Sequence, residues 1–323
     1  MTADIKVKKR SLGQTGIEVS PIGLGTNKFS GGKGLYGLIM PDLSQEQIDE
    51  IVGTALKGGI NWLDTAEMYG FGHSEQAIAR ALKAAAMADD DVVIVDKWMP
   101  IFRTAGNISR TINKRLDLLG GFTLDLYMVH NPMGFSSPEA EMEIMADLVV
   151  AGKIRSVGVS NFNAEQMRRA HSALAKRGLP LAANQVEYSL LNRKIETNGV
   201  LDAAKELGVS IIAWGPLGSG LLTGKFHAGE RYKQAPVGRR MMLGRNLEKS
   251  QPIVNLLEEI AADHEVTAAQ IAISWLINYQ GDLVLAIPGA SKAHHAEQSA
   301  EALNIQLSDD EMDVLAQASL PFR

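Results

Sequence analysis

Short apolar runs alternate with stretches in which apolar residues recur every three or four positions, almost from one end of the chain to the other. The runs predict strands at Ile22–Gly25, Asn61–Leu63, Val92–Val95, Leu124–Val129, Ile154–Val159, Ala182–Glu187, Ser210–Ala213 and Leu283–Ile287. Runs of this kind suit parallel strands covered on both faces. Between them the helical period predicts Ser44–Lys57, Ser74–Ala86, Ile108–Leu119, Pro138–Val150, Ala164–Arg177, Leu201–Leu207, Ile253–His264 and Ala268–Tyr279. Asn107, Asn163 and Thr267 stand where N-caps belong, and Gly58, Gly120, Gly152, Gly178 and Gly208 where helices stop. Eight strands with helical crossovers predict an α/β fold, a closed (β/α)8 TIM barrel in a single domain over residues 1–323. A doubly wound open sheet is the competitor. Val7–Gly16 running into Ile17–Val19 reads as an N-terminal β-hairpin that closes one end of the barrel. Lys292–Leu303 and Asp309–Ala318 read as two extra C-terminal helices. Gly215–Ser250 lacks a clean period and reads as a long functional loop, 215–250.

Composition narrows the function. A chain of 323 residues, 46% hydrophobic and 21% charged, can bury a full core. Without cysteine, disulfides, thiolate zinc sites, iron–sulfur ligation and cysteine nucleophiles are all excluded. A net charge of −5 gives no positive field for nucleic acid or acidic membrane. No apolar run approaches the ~18 residues of a membrane span, and the polar start MTADIKVKKRSLG lacks the apolar core of a secretory signal. The expectation is a cytoplasmic protein acting on a small molecule. Several motifs carry nothing further. Gly220-Leu-Leu-Thr-Gly224-Lys225-Phe226 is too short for a P-loop and ends in Phe, and the adjacent His294 and His295 diverge on a helix, so no metal site is expected.

Four chemistry-bearing residues fall at the C-terminal ends of three consecutive strands or just beyond them, where (β/α)8 enzymes build active sites. They are Asp64 and Tyr69 in NWLDTAEMYG, Lys97 in VVIVDKWMP and His130 in DLYMVHNP. A phenol, with a reference pKa near ~10, is a poor acid–base catalyst unaided at neutral pH. An adjacent ammonium favours the phenolate, a carboxylate keeps that ammonium charged and aimed, and a neutral imidazole can orient a carbonyl oxygen. Such a set can protonate a carbonyl as its carbon accepts hydride, which implies a nicotinamide. Trp98, Met99, Phe102, Met133 and Phe135 follow these strands and are expected to form an apolar pocket mouth for a carbonyl substrate.

Over essentially its whole length the sequence resembles the aldo-keto reductase superfamily. The matching stretches are LGTNKF, NWLDTAEMYG with its following Ser-Glu, Lys97, LYMVHNP, GKIRSVGVSNF, NQVEYSLL, IIAWGPLGSGLLTGK and IPGAS. The likeness is to the branch that includes bacterial general-stress-type oxidoreductases and voltage-gated potassium channel β subunits. It implies a barrel that binds NADP(H) extended, without a Rossmann motif. Tyr69 would be the proton donor, Lys97 and Asp64 would tune it, and His130 would orient the carbonyl. The resemblance also implies cofactor contacts. Ser160, Asn161 and Gln185 would hold the carboxamide, and Trp214 would stack on the nicotinamide. Gly25, Thr26, Asn27 and Asp64 would line the same side. Gly215, Pro216, Leu217, Gly218, Ser219 and Lys225 would follow the pyrophosphate. Gly289, Ser291 and Lys292, with Arg240, would flank the adenosine phosphate, and His295, Gln298 and Ser299 the adenine end.

Two departures stand out: Gly215-Pro-Leu replaces the family's Ser-Pro-Leu, and His295, Gln298 and Ser299 replace its usual adenine-side residues. A phosphate beside His295 is expected to raise its pKa, tightening NADPH binding at pH ~6 relative to pH ~8. Two rivals remain: a Schiff-base aldolase using Lys97, and a cofactor-binding regulatory subunit or sensor with little turnover.

Overall fold

Alternation along the strands decides which side chains meet in the centre of this fold. The structure is a computed structural model and describes residues 7–33, 42–227 and 237–323. Eight parallel strands follow one another in sheet order: β3 (Leu24–Gly25), β4 (Trp62–Asp64), β5 (Val93–Trp98), β6 (Leu126–Val129), β7 (Ser156–Ser160), β8 (Leu181–Glu187), β9 (Ser210–Trp214) and β10 (Val284–Ala286). Parallel bridges from Ile22 to Ala286 and from Gly25 to Gly289 join the first strand to the last and close the barrel. The antiparallel hairpin of β1 (Arg10–Ser11) and β2 (Glu18–Val19) precedes it. Leu12, Ile17 and Val19 of the hairpin are buried together with Trp62, Val93, Val95, Leu126, Met128, Ile212 and Leu285, so the N-terminal end of the barrel is plugged with hydrocarbon. Side chains two residues further along each strand continue the inward row, and there the residues turn polar: Asp64, Lys97, Gln185.

The helices are α1 (Gln45–Lys57), α2 (His73–Ala84), α3 (Gly106–Leu118), α4 (Pro138–Val150), α5 (Ala164–Ala175), α6 (Val200–Leu207), α7 (Val237–Asp263), α8 (Ala268–Asn278), α9 (Ala293–Glu301) and α10 (Asp309–Ala318). Ser44, Asn163, Thr267 and Ser308 begin theirs with reciprocal capping boxes. The last two helices follow β10 as expected; α9 packs on α1 and completes the ring, while α10 packs on α7.

Three expectations need correction. The last 14 residues of the predicted loop 215–250 are helix, because α7 starts at Val237. Gly238, Gly244 and Pro252 break up its apolar period and hide it from pattern reading. Residues 228–236 of that loop lie outside the described residues. Asn107 does not cap α3, which starts at Gly106 after Ala105 with no side-chain cap; its Oδ1 accepts from Trp98 Nε1 at 2.9 Å instead. Trp98, expected at the pocket mouth, is therefore buried under the helices. On β5 residues 93, 95 and 97 point inward, so 94, 96 and 98 point outward.

Candidate active site

The polar end of the barrel is organised by one ion pair. Lys97 Nζ lies 2.6 Å from Asp64 Oδ2 and donates to the Thr65 carbonyl at 2.7 Å, and both side chains are fully buried. The other Asp64 oxygen accepts from Gln185 Nε2 at 2.7 Å. Burial pushes the Asp64 carboxyl above its ordinary range, while Lys97 and Gln185 pull it back. Nζ is 5.3 Å from the centroid of the Tyr69 ring. The His130 ring meets Tyr69 edge-on, with centroids 6.0 Å apart and planes at 82°. Burial, with Lys97 adding to it, pushes the His130 imidazole down to about 3, so this ring is neutral at physiological pH. Its Nδ1 has no hydrogen-bond partner among the described residues. The four residues singled out from sequence are thus brought together. Lys97 is committed to a carboxylate and a carbonyl, which opposes a role as an attacking amine.

The carboxamide-side candidates form one hydrogen-bonded chain. Ser160 Oγ donates to the Gln185 carbonyl at 2.9 Å, and Asn161 Nδ2 donates to the His130 carbonyl at 3.2 Å. Asn161 has a left-handed φ of 60° and accepts from Trp214 Nε1 at 3.1 Å. That bond holds the half-open indole face at the end of β9. The next segment strings together left-handed residues, Gly215, Gly218, Ser219 and Gly220, which turn the chain sharply around buried Pro216 and half-buried Leu217.

At the other end, Lys28, Lys225 and Lys292 all act on His295. Together with His294, and with burial as the larger cause, they push it down to about 4. Ser291 Oγ is 3.4 Å from His295 Nδ1, and Lys28 Nζ donates to the Gly289 carbonyl at 3.3 Å. Lys28 lies inside LGTNKF but was not among the residues expected to bind; nothing in its local pattern marks it, because only barrel closure brings residue 28 beside residue 289. Asn27 Oδ1 lies 3.3 Å from where a Cβ on Gly289 would be. Gln298 is half-buried on α9 and Arg240 half-buried on α7.

Two expected cofactor contacts are spent elsewhere. Thr26 Oγ1 is buried and donates to the Asp64 carbonyl at 2.9 Å, which fixes the end of β4. Ser299 Oγ donates to the His295 carbonyl inside its own helix at 2.8 Å.

Of the expected pocket residues, Phe102, Met133 and Phe135 are exposed, and the two phenyl rings lie 6.3 Å apart. Met99 is half-buried, its sulfur 3.7 Å from Asn131 Nδ2. Phe71, which nothing in the local sequence marks, is 71% exposed with a φ of 56°. A bulky residue in the left-handed region is uncommon and worth reading as functional. Apolar side chains thus rim the C-terminal end of the barrel around the ion pair.

Comparisons with known proteins point to one family. A model of the aldo/keto reductase family matches residues 21–319. An uncharacterized oxidoreductase of Mycobacterium tuberculosis is 34% identical over 311 residues, covering 95% of this chain and 91% of that protein. The crystal structure of a thermostable aldo-keto reductase in complex with the inhibitor epalrestat superposes with a TM-score of 0.77 at 32% identity, covering 96% of this chain and 99% of that one. An aldo/keto reductase of Klebsiella pneumoniae, crystallised with NADP and acetate, has a TM-score of 0.73 at 28% identity, covering 96% and 95%.

Proposed function

Because the chain belongs to the aldo/keto reductase family, we propose that it is an NADP(H)-dependent oxidoreductase of the carbonyl reductase type, reducing aldehydes or ketones to alcohols with Tyr69 as proton donor. The observation that carries this reading is the Asp64–Lys97 pair, held at 2.6 Å with its ammonium 5.3 Å from the Tyr69 ring. A fixed cation beside a phenol favours the developing phenolate, so the proton leaves more readily as the carbonyl oxygen gains charge. His130, neutral and set edge-on to Tyr69, can hold that oxygen by a hydrogen bond without competing as an acid.

The residues present fit an NADP cofactor. Trp214 offers an indole face near Ser160 and Asn161, while Lys28, Lys225 and Lys292 converge beside Ser291, as a phosphate requires. The cofactor supplies the hydride when bound. The chain's own residues bind and orient it: Asn161 spaces Trp214 from His130, and the lysines hold negative charge. The relative crystallised with NADP supports the choice of cofactor.

The apolar rim of Phe71, Phe102, Met133 and Phe135 favours carbonyl compounds with a hydrophobic or aromatic body.

Tyr69→Phe tests the assignment. It removes the transferable proton and keeps the ring. Turnover of a carbonyl substrate, followed by NADPH absorbance, should fall at least ~10²-fold while NADPH affinity stays within about twofold. Reduction at the wild-type rate would remove Tyr69 from the chemistry.

A further inference from the structure

On the outward face of β5, directly behind Lys97, lies a second group of buried charges that the reaction scheme leaves unused. β4 ends at Asp64, and the Lys97 amide is not served by a carbonyl of that strand. Asp96 Oδ1 accepts this N–H at 2.7 Å, and the Thr65 carbonyl is left to the Lys97 ammonium. Glu75 from α2 and Arg115 from α3 form an ion pair against the same space, and all three residues are at most 1% exposed. Asp96 Oδ2, Glu75 Oε2 and Arg115 Nε have no hydrogen-bond partner among the described residues.

Two carboxylates thus face one guanidinium where an unpaired charge is costly. Neutrality requires a proton. Desolvation, reinforced by Asp96, pushes Glu75 up to about 8; desolvation pushes Asp96 up to about 7; Arg115 pulls both back. The other groups facing them are Tyr127 from β6, Glu67 from the loop after β4, and Lys97. Burial first and then Asp96 hold the Tyr127 phenol well above its usual range, so it stays neutral. Glu67 is neutralised by both bonds from Arg103, at 2.8 and 2.9 Å. Near neutral pH the titration therefore belongs to the carboxylate pair.

We propose that Asp96 is a positioning residue for Lys97, and that Glu75 and Arg115 make its grip on the Lys97 amide depend on one proton shared between two buried carboxylates. The inference rests on the reading of Lys97 as the cation beside the proton donor. An ionised Asp96 is a strong acceptor and fixes the backbone from which Nζ reaches Asp64. As pH falls and Asp96 takes a share of the proton, the acceptor weakens and Lys97 loosens. The wild-type enzyme should therefore show a decline in kcat on the acid side of neutrality.

The test compares wild type with Asp96→Asn, Asp96→Ala and Glu75→Gln. Asn keeps an acceptor oxygen without charge, and Ala removes it. The kcat at neutral pH should fall in that order, by about threefold and then about tenfold, with NADPH affinity within about twofold of wild type. The acid-side decline should vanish in Asp96→Asn and shift in Glu75→Gln. A second readout needs no turnover. In protein labelled with ¹⁵N-lysine, the Lys97 amide proton should move with pH between about 6 and about 9, and stay flat in Asp96→Asn. Asp96→Ala with wild-type kcat, an acid limb unchanged in Asp96→Asn, or a Lys97 amide indifferent to pH would each overturn the proposal. Should wild type reduce no carbonyl compound, the functional reading fails, and the amide titration alone still decides whether Asp96 and Glu75 govern the Lys97 backbone.

Discussion

Lys97→Met removes the cation from the centre of the site while nearly keeping its volume, so its effect on folding measures what the Asp64–Lys97 pair contributes. Asp64 would retain one donor, Gln185 Nε2 at 2.7 Å, and lose the ammonium at 2.6 Å. Removing one partner of a buried pair costs about 3–5 kcal/mol, because the remaining charge is left uncompensated. That cost has a signed pH dependence. Burial already pushes the Asp64 carboxyl up and Lys97 is the main group pulling it back, so the substitution raises it further. A carboxyl raised in the folded state is protonated in both states below about pH 4 and costs nothing extra there. Above that, the unfolded chain ionises first and the deficit grows by about 1.4 kcal/mol per pH unit, levelling off once the folded carboxyl also ionises. Wild type, whose Asp64 is itself raised, carries the first part of that deficit too, so the variant should trail it little near pH 5 and by about 3–5 kcal/mol near pH 7. Urea unfolding followed by fluorescence reads it, since Trp62, Trp98 and Trp275 are fully buried. Adding Asp64→Asn to Lys97→Met should recover most of the loss, as no buried charge then remains. A deficit under about 1 kcal/mol at pH 7, or one equal at pH 5 and pH 8, would refute the reasoning.

The other expectations are these. His295 stands at about 4 in the free protein, and a phosphate among Lys28, Lys225 and Lys292 raises it. Proton uptake on binding then tightens NADPH as pH falls, in a window more acid than the sequence alone implied; fluorescence titrations should show tighter binding at about pH 5 than about pH 8 in wild type and a smaller change in His295→Gln. Identical profiles in the two proteins would remove His295 from the site. Gly70→Ala places a Cβ against the Ser30 carbonyl at a φ of 69°, next to Tyr69; it should lose at least ~1 kcal/mol of stability and lower kcat, and a variant with wild-type melting and kcat would contradict this. Arg193→Ala strips Glu196 of its fork at 2.7 and 2.8 Å and releases the Ala316 carbonyl and Ser319 Oγ. A loss of about 3 kcal/mol or more by thermal unfolding is expected, and under about 1 kcal/mol would show that the C-terminal segment is held by packing alone.

Strand positions were legible because a parallel barrel strand buries both faces and reads as a short apolar run. Their chemistry was legible because Asp64, Lys97 and His130 interrupt or end such runs, where a charge has no structural reason to be. Side-chain direction was harder. Trp98 reads as a mouth residue from its place after Lys97, yet strict alternation along β5 turns it away from the barrel. Glu75, Asp96 and Arg115 sit on three elements, and no local pattern marks them as partners. Lys28 joins the lysine cluster only through barrel closure. Helix α7 was missed because its glycines and Pro252 remove the periodic signal that tertiary packing on α8 and α10 makes unnecessary.

The seam between β3 and β10 makes the two chain ends interdependent. The first barrel strand has only two residues, and its outer edge is completed by Ala286, Pro288 and Gly289, more than 260 positions downstream. Arg10, from the hairpin ahead of that strand, reaches across to the Ile277 and Val284 carbonyls at 2.6 and 2.8 Å. A nascent chain can therefore build its middle helices and strands early, but the ring stays open until residues 286–289 have left the ribosome. Until then the edges of β3 and β9 both present unpaired backbone, and the polar row that becomes the catalytic centre has no enclosed interior to occupy. Losing the last strand reopens the ring, whereas losing the hairpin keeps the seam but removes the Arg10 brace across it.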